Sequence, residues 1–252
     1  MEIRVLWLLL FAGSMAQEDM DRNVFLFPKR SVNDYVVLTP MMTGPLNKLT
    51  VCLRSYTEDG KNALMSVGTT ESQIRDKLVI YQDSIGYNPQ YFVNIAINSF
   101  SSASIRTNTD ILKWIHRCVT WDSGVLQLWV NGKVSPRRVL QGGSIDLQDG
   151  ISLGQILKNP GFGWNQMQGN YRNQWNFEFS FQGEITDVHM WNEALSPETI
   201  RQVLLNNRDI NGNVINWRSL NYTIKGDVIV QPKLQCRYGS DPDSSHYQCS
   251  MD

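Results

Sequence analysis

Residues 151–177 are the part of the sequence whose side chains are most suited to binding a ligand. This segment contains no Asp or Glu, and it combines nine Asn and Gln residues with five aromatic ones. Aromatic rings stack on the apolar faces of sugars, and side-chain amides hydrogen-bond to hydroxyl groups. The segment is therefore either a metal-free glycan-binding loop, with Trp164, Tyr171 and Trp175 as candidate ligand residues, or an aromatic cover over an apolar patch.

No group of residues in the sequence fits a catalytic mechanism. There is no Gly-x-Ser-x-Gly nucleophile motif, and the three histidines, His116, His189 and His246, are isolated from one another. Glu184 and Asp187 are three residues apart, which places them on opposite faces of a strand, whereas a hydrolase of this type needs paired carboxylates on one face. We therefore predict a binding protein and not an enzyme.

The four cysteines and one sequon predict the covalent modifications. Cys52 and Cys118 lie inside apolar strand-like runs, whereas Cys236 and Cys249 bracket a polar tail, so we predict the disulfides Cys52–Cys118 and Cys236–Cys249. Their spacing lacks the close pairs typical of zinc ligation. Asn221 begins the sequon Asn-Tyr-Thr and is a candidate N-glycosylation site if it lies on the surface.

Residues 1–16 have the features of a secretory signal peptide. Arg4 precedes an apolar run, and small residues precede the expected cleavage point after Ala16. The run is shorter than the roughly 20 apolar residues that a membrane-spanning helix needs. We expect a secreted, extracellular chain, in a compartment where disulfides persist.

Period-two alternation of apolar and polar residues recurs at short intervals and predicts β-strands. One strand is predicted over residues 49–56, and another over residues 125–130 runs into Asn131-Gly132, a pair typical of tight hairpin turns. Further strands are predicted at 35–38, 77–81, 91–97, 114–121, 151–154, 183–191 and near 227–232. Many short strands separated by turn residues indicate an all-β, two-sheet antiparallel sandwich.

Residues 197–204 break this pattern and predict one short surface helix. Ser196 is a favourable N-cap, a proline occupies the first helical position, and Ile200 and Val203 fall on one face. No internal repeat divides the chain, so we predict a signal peptide over 1–16, one domain over 17–234 and a disulfide-closed tail over 235–252. The formal net charge of −1 provides no basic field, so nucleic acid is not a favoured partner.

Residues 116–123, HRCVTWDS, match the pattern His-x-Cys-x-(Ser/Thr)-Trp-x-(Ser/Thr), and the hairpin sequence LQLWVNGK follows them. On these residues the chain resembles the pentraxin family. The resemblance covers residues 24–234 and includes, in order, VFLFPKRS, LTVCLRSYT, IGY, SLGQ, HMWNEALSPETI and VINWRSLNYTIKGDVIVQPKL. It implies a lectin-like jelly-roll sandwich, the Cys52–Cys118 disulfide and assembly into a homopentamer.

The resemblance also implies a function in innate immunity. Pentraxins are secreted pattern-recognition proteins, some of the acute-phase type, and they hold phosphocholine, phosphoethanolamine or acidic glycans through two calcium ions on one face. Their opposite face meets complement and Fc receptors. For this chain the resemblance therefore implies Ca²⁺ as a cofactor and, as partners, microbial or damaged-cell surfaces through glycans or phospholipid headgroups.

The calcium-ligand positions that the resemblance identifies carry other residues in this sequence. Ile74 and Arg75 stand in place of an Asp-Asn pair, and Ile156, Leu157 and Lys158 stand in place of Glu-Gln-Asp. Calcium needs six to eight oxygen ligands, and nearby cations repel it. We therefore predict that calcium binding is weak or absent.

Two acidic residues and one apolar residue remain as candidates at this site. Glu178 and Asp76 are weak candidates for calcium ligands, and Ile80 matches the apolar wall of the family's phosphocholine pocket. Ile95 stands where the acidic partner of the choline nitrogen is expected, so we predict that phosphocholine binding is lost. The alternative is a calcium-independent glycan-binding lectin or interaction scaffold that uses the aromatic segment 156–177.

Overall fold

The computed structural model describes residues 19–68, 77–85, 90–97, 101–107, 112–140, 143–156 and 175–234. The predicted signal peptide and the predicted Cys236–Cys249 disulfide lie outside the described residues. Among the described helices, none is long and apolar enough to cross a membrane.

The described chain consists mainly of short strands. In chain order these are β1 (Asn23–Phe27), β2 (Tyr35–Leu38), β3 (Lys48–Tyr56), β4 (Asn62–Val67), β5 (Leu78–Ile85), β6 (Gln90–Ile97), β7 (Ser101–Thr107), β8 (Ile115–Asp122), β9 (Val125–Val130), β10 (Lys133–Val134), β11 (Arg138–Val139), β12 (Ile151–Leu153), β13 (Gly183–Trp191), β14 (Tyr222–Lys225) and β15 (Ile229–Pro232). One α-helix, α1 (Pro197–Leu204), and two 3₁₀-helices, Phe177–Phe179 and Trp217–Ser219, complete the described elements.

The strands form two antiparallel sheets. The eight-stranded sheet has the order β10-β9-β8-β3-β13-β1-β15, with β11 also paired to β9, and the seven-stranded sheet has the order β14-β2-β12-β4-β5-β6-β7. Neighbours in the sheets are mostly distant in sequence, as in a jelly roll, so the predicted fold class is confirmed. The aromatic segment 156–177 follows β12, a strand of the seven-stranded sheet.

The main core lies between the inner faces of the two sheets. Aromatic residues from both sheets and the connecting loops meet edge to face there: Phe25 packs against Trp217 with ring centroids 5.3 Å apart, and Phe27 against Phe181 at 5.2 Å. A second apolar cluster lies beneath α1, and a third lies on the outer face of the seven-stranded sheet. Because both faces of β4 and β5 are covered, their residues are apolar on both sides.

The disulfide and the helix occupy the outer face of the eight-stranded sheet. Cys52 and Cys118 are paired directly across β3 and β8 and form the predicted disulfide. The helix begins and ends at the predicted residues, with the Ser196 side chain accepting a hydrogen bond from the Thr199 amide and Ile200 buried. The disulfide and helix predictions are therefore confirmed.

Candidate ligand-binding face

The segment that follows β12 is held firmly where it leaves the sheet. Gly154 has a φ of +82°, and a Cβ at this position would lie 2.4 Å from the Phe27 ring. The buried Gln155 side chain donates a hydrogen bond of 3.0 Å to the carbonyl of Asp34 and accepts one of 3.1 Å from the Ser180 hydroxyl. These contacts fix the backbone direction and carry the next residue, Ile156, onto the outer face of the seven-stranded sheet.

Ile156 is the centre of an apolar cluster, which we call the outer cluster, on that face. Its side chain is fully buried. The other members are Ala63, Val79, Tyr81 and Phe179. Tyr81 and Phe179 pack edge to face with ring centroids 5.0 Å apart. The position at which the family resemblance implies a calcium carboxylate is therefore filled by a hydrocarbon side chain in a closed apolar environment.

The chain returns to the outer cluster at residues 175–179. The Asn176 amide donates a 2.8 Å hydrogen bond to the carbonyl of Ile156, and the Asn176 side chain accepts one from the Glu178 amide and so caps the 3₁₀-helix. Trp175 is only 5% exposed and packs edge to face on Tyr35 at 5.3 Å. Phe177 is 56% exposed. Trp175 thus covers apolar surface, whereas Phe177 is available to a ligand.

Glu178, a predicted weak calcium ligand, is paired with a lysine of the same chain. The Lys61 ammonium lies 3.2 Å from Glu178 Oε2 and 4.5 Å from the centroid of the Phe179 ring. Burial raises the pKa of the neighbouring Asp83 carboxyl, an effect that Lys61 opposes and Glu178 reinforces. The Glu178 carboxylate is therefore paired with a cation of the same chain, in a contact that is largely exposed to solvent.

Arg30 ties together the two loops that carry Lys61 and Glu178. Its Nε lies 2.9 Å from Asp59 Oδ2, and its other nitrogens donate 3.2 Å hydrogen bonds to the carbonyls of Lys61 and Glu178. An arginine that meets a carboxylate and two carbonyls at once orients both loops, because its donors project in a fixed planar fork. Arg30 thus helps to hold the backbone of both Lys61 and Glu178, whose side chains form the ion pair at the outer cluster.

The buried Arg117 connects the two sheets. It donates a 2.6 Å hydrogen bond to the Ser55 hydroxyl and another to the side-chain oxygen of Gln82 on the opposite sheet. Burial lowers the pKa of Arg117 to about 10. This role of Arg117 is not evident from the sequence, because arginine is rarely buried and its partners Ser55 and Gln82 are remote in sequence.

The structure brings three predicted site residues together: Ile156, Trp175 and Glu178. Ile80 does not join them. Its side chain is 2% exposed and lies in the main core between the sheets, so its predicted role as the wall of a surface pocket is corrected. The other predicted residues lie outside the described part of the chain: Ile74, Arg75, Asp76, Leu157, Lys158, Trp164 and Tyr171.

His116 and His189, the two histidines among the described residues, lie on the other side of the molecule and take part in packing. His116 and His189, with Arg54, Asp187 and Arg218, line a small cleft between the eight-stranded sheet and the segment after α1. Burial lowers the pKa of His116 to about 3 and that of His189 to about 4, so both rings are neutral at physiological pH.

His116 lies as close to two cysteine sulfur atoms as the ligands of a metal site would, but these sulfurs cannot bind a metal. His116 lies within 4.8 Å of the sulfur atoms of Cys52 and Cys118, but both sulfurs belong to the disulfide. Zinc requires thiolates, which a disulfide does not supply. This group therefore has a structural role.

The comparison with known proteins identifies the family. The model of the Pentaxin family matches residues 23–232. The chain belongs to the pentaxin (pentraxin) family. This pentaxin is 41% identical to C-reactive protein of Xenopus laevis over 241 residues, which cover 94% of each chain. It is 32% identical to serum amyloid P-component of Rattus norvegicus over 243 residues, which cover 93% of this chain and 97% of that one.

The fold of this pentaxin also matches a solved family structure. The heptameric SAP-like pentraxin from Limulus polyphemus superposes with a TM-score of 0.69 at 20% sequence identity, covering 85% of this chain and 96% of that chain. Pentaxins are binding proteins without catalytic activity, so the prediction of a non-enzyme is confirmed by family membership.

The described residues of this pentaxin do not fit the calcium ions that its family binds. Calcium needs six to eight oxygen ligands, several of them carboxylates. Within the described part of the outer cluster, Ile156 occupies a ligand position, Glu178 is paired with Lys61 and Asp59 with Arg30. The side chains on this face instead form an apolar cluster edged by internal ion pairs.

Proposed function

We propose that this pentaxin is a secreted pattern-recognition protein of innate immunity, of the acute-phase type, whose calcium and phosphocholine site is degenerate. It recognises microbial or damaged-cell surfaces through glycans or phospholipid headgroups. The observation that carries the proposal is the complete burial of Ile156 in the outer cluster. A buried carboxylate at this position would need a bound calcium ion to balance its charge, whereas the isoleucine side chain needs none.

The physical reason is the balance between charge and burial at this face. A divalent cation placed beside Ile156 would lose water without gaining oxygen ligands, and burying unpaired charge is strongly unfavourable. The Lys61 ammonium, held by Glu178 and Phe179, would repel it further. Calcium binding at this face is therefore weak or absent, and phosphocholine recognition through calcium is lost with it.

The alternative function is a calcium-independent lectin or interaction scaffold that uses residues 156–177. Phe177 supports it, because an aromatic ring exposed by 56% beside a frame of ion pairs is a suitable stacking surface for a sugar. The Trp175 ring is packed on Tyr35 and is only 5% exposed. This part of the segment therefore covers the sheet and does not present its ring to a ligand. The predicted ligand residues Trp164 and Tyr171 belong to the same alternative.

Assembly and partners follow from the family. We propose a homopentamer secreted after removal of residues 1–16, with a domain over 17–234 and a tail closed by Cys236–Cys249. The face that carries α1 lies opposite the ligand-binding face and is the candidate surface for complement or Fc receptors. Light scattering on the secreted protein would give five times the mass of the mature chain, whereas a monomer mass would contradict the ring.

The function is tested by binding to surfaces with and without calcium. We expect the secreted protein to be captured on killed bacteria or on dying cells equally in calcium and in EGTA. If the alternative that uses residues 156–177 holds, Phe177→Ala should reduce capture at least severalfold, whereas Val139→Ala, an equally simple truncation of a residue 83% exposed on the eight-stranded sheet, should not. Capture that requires calcium, or no capture on either surface, would contradict the proposal.

A further inference from the structure

The sequon at residues 221–223 lies at the edge of the seven-stranded sheet, in a geometry suited to glycosylation. Asn221 continues strand β14 by one residue, because its carbonyl accepts a 2.9 Å hydrogen bond from the Thr39 amide next to the paired Tyr222 and Leu38. On its other side, β14 has no neighbouring strand among the described residues. The sequon is therefore in extended backbone with one side open.

The alternation of side chains along β14 directs the sequon outward. Tyr222 packs edge to face on Phe25 with ring centroids 4.9 Å apart, and Ile224 also packs against the main core. Successive side chains of a strand point to opposite faces. Asn221 and Thr223 therefore share the outer face, where Thr223 is exposed and Asn221 is half-buried.

The outer face of β14 is continuous with the ligand-binding face. Thr223 is paired with Val37 of β2, and Val37 is paired in turn with Ser152 of β12, the strand that leads to Ile156. At about 4.8 Å per strand, β14 and β12 are about 10 Å apart. Tyr35, which supports Trp175, is paired with Lys225 of β14.

We infer that Asn221 carries an N-linked glycan that stands on the ligand-binding face and forms its boundary on the β14 side. In the modification, Asn221 Nδ2 forms a bond to the anomeric carbon of a lipid diphosphate-linked oligosaccharide. The bond between that carbon and the phosphate oxygen breaks, the lipid diphosphate leaves, and the amide proton passes to a base. An N-glycan is bulky and hydrophilic.

The glycan limits how a ligand reaches the outer cluster, a consequence that rests on the proposed function. The glycan obstructs approach across β14 and β2, but it does not obstruct approach across β4 and β5.

The modification is tested on protein secreted from animal cells. We expect its mass to fall on treatment with peptide N-glycosidase, with Asn221 converted to Asp. Thr223→Ala should abolish this change, whereas Thr223→Ser, which keeps the sequon, should preserve it. A mass that is unchanged by the enzyme in the unaltered protein would overturn the inference, and it would leave the calcium experiments unaffected.

The position of the glycan is tested separately by hydroxyl-radical footprinting. Removing the glycan, by enzyme or by Thr223→Ala, should increase labelling of Tyr35 at least twofold and leave Tyr56, at the end of β3 in the other sheet, unchanged. Equal labelling of Tyr35 with and without the glycan would overturn its placement on the ligand-binding face.

Discussion

Ile156 and Lys61 determine the chemistry of the outer cluster. In a calcium-binding face, carboxylates surround the ion and the ion in turn binds an anionic ligand. Here Ile156 is packed among apolar side chains, and the Lys61 ammonium neutralises Glu178. On the described part of this face, a ligand would meet the exposed ring of Phe177 and the Lys61–Glu178 ion pair.

Truncation of Ile156 should destabilise the fold. Ile156→Ala removes a fully buried side chain from the outer cluster that contains Tyr81 and Phe179, and we expect the free energy of unfolding to fall by about 2–4 kcal/mol. Val139→Ala, at a residue 83% exposed, should change it by less than about 0.5 kcal/mol. Urea denaturation measures both, and a change of less than about 0.5 kcal/mol for Ile156→Ala would mean that this side chain is not packed.

The two buried histidines should make the protein less stable in mild acid. Burial lowers the pKa of His116 to about 3 and of His189 to about 4, while Arg54 and Arg218 oppose their protonation and Asp187 favours it. Below pH 6.5 the unfolded chain binds protons that the folded chain excludes, so stability is complete above pH 6.5 and falls toward pH 4. Between pH 7.5 and 5 the loss is about 2 kcal/mol for each histidine.

The matched variant for this prediction is His189→Gln. The His189 ring accepts hydrogen bonds from the amides of Gly212 and Trp217, and a glutamine oxygen offers an acceptor that does not titrate. Urea midpoints at several pH values should show a shallower acid loss in the variant. Parallel pH profiles for the two proteins would contradict the role of His189.

The sequence predicted residues well where the signal was local or covalent, and poorly where it depended on the face of a strand. Cys52 and Cys118 were predicted because each lies in a strand with its own pattern. Ile80 was assigned to a surface pocket by its match to a family position, and such a match does not show which face of β5 the side chain occupies. Because β5 is apolar on both sides, a one-residue difference in register exchanges the two faces. A register shift in β4 beside it adds to this ambiguity.

At the scale of elements, caps and turns carried the most reliable information. The helix bounds followed from Ser196 and the proline after it, which act within a few residues. The hairpin turn at Asn131-Gly132 has positive φ at both residues, as its sequence indicates. Strands β4 and β7 were not predicted, because their sequences, NALMSV and SSASIRT, lack clear alternation.

The turn that holds the segment after α1 should not tolerate a side chain at Gly212. A Cβ there would lie 1.9 Å from the Ile215 carbonyl oxygen and 2.6 Å from that of Met190. We expect Gly212→Ala to lower the free energy of unfolding by about 2 kcal/mol or more. The control is Gly44→Ala, where a Cβ would meet no heavy atom within 4 Å. Thermal unfolding compares the two, and equal stabilities would show that the turn is not closely packed.

The two outer faces of the sandwich carry different structural features. The eight-stranded sheet carries the disulfide, the buried histidines and α1, and the seven-stranded sheet carries the outer cluster and the sequon. The family fold was predictable because the motif HRCVTWDS and its ordered flanks cover most of the domain. The internal pairing of Lys61 with Glu178 was not predictable, because the two residues are 117 positions apart and meet only in the folded sandwich.

We propose that this pentaxin keeps its family fold without its family's calcium ions. The direct measurement is a calcium titration of the secreted protein, by calorimetry and by thermal unfolding in calcium, magnesium or EGTA. We predict no binding heat and the same unfolding temperature in all three. Calcium at a hundredfold excess over its dissociation constant would add about 2.7 kcal/mol and raise the unfolding temperature by about 5 °C or more. Such a rise in calcium alone would contradict the claim.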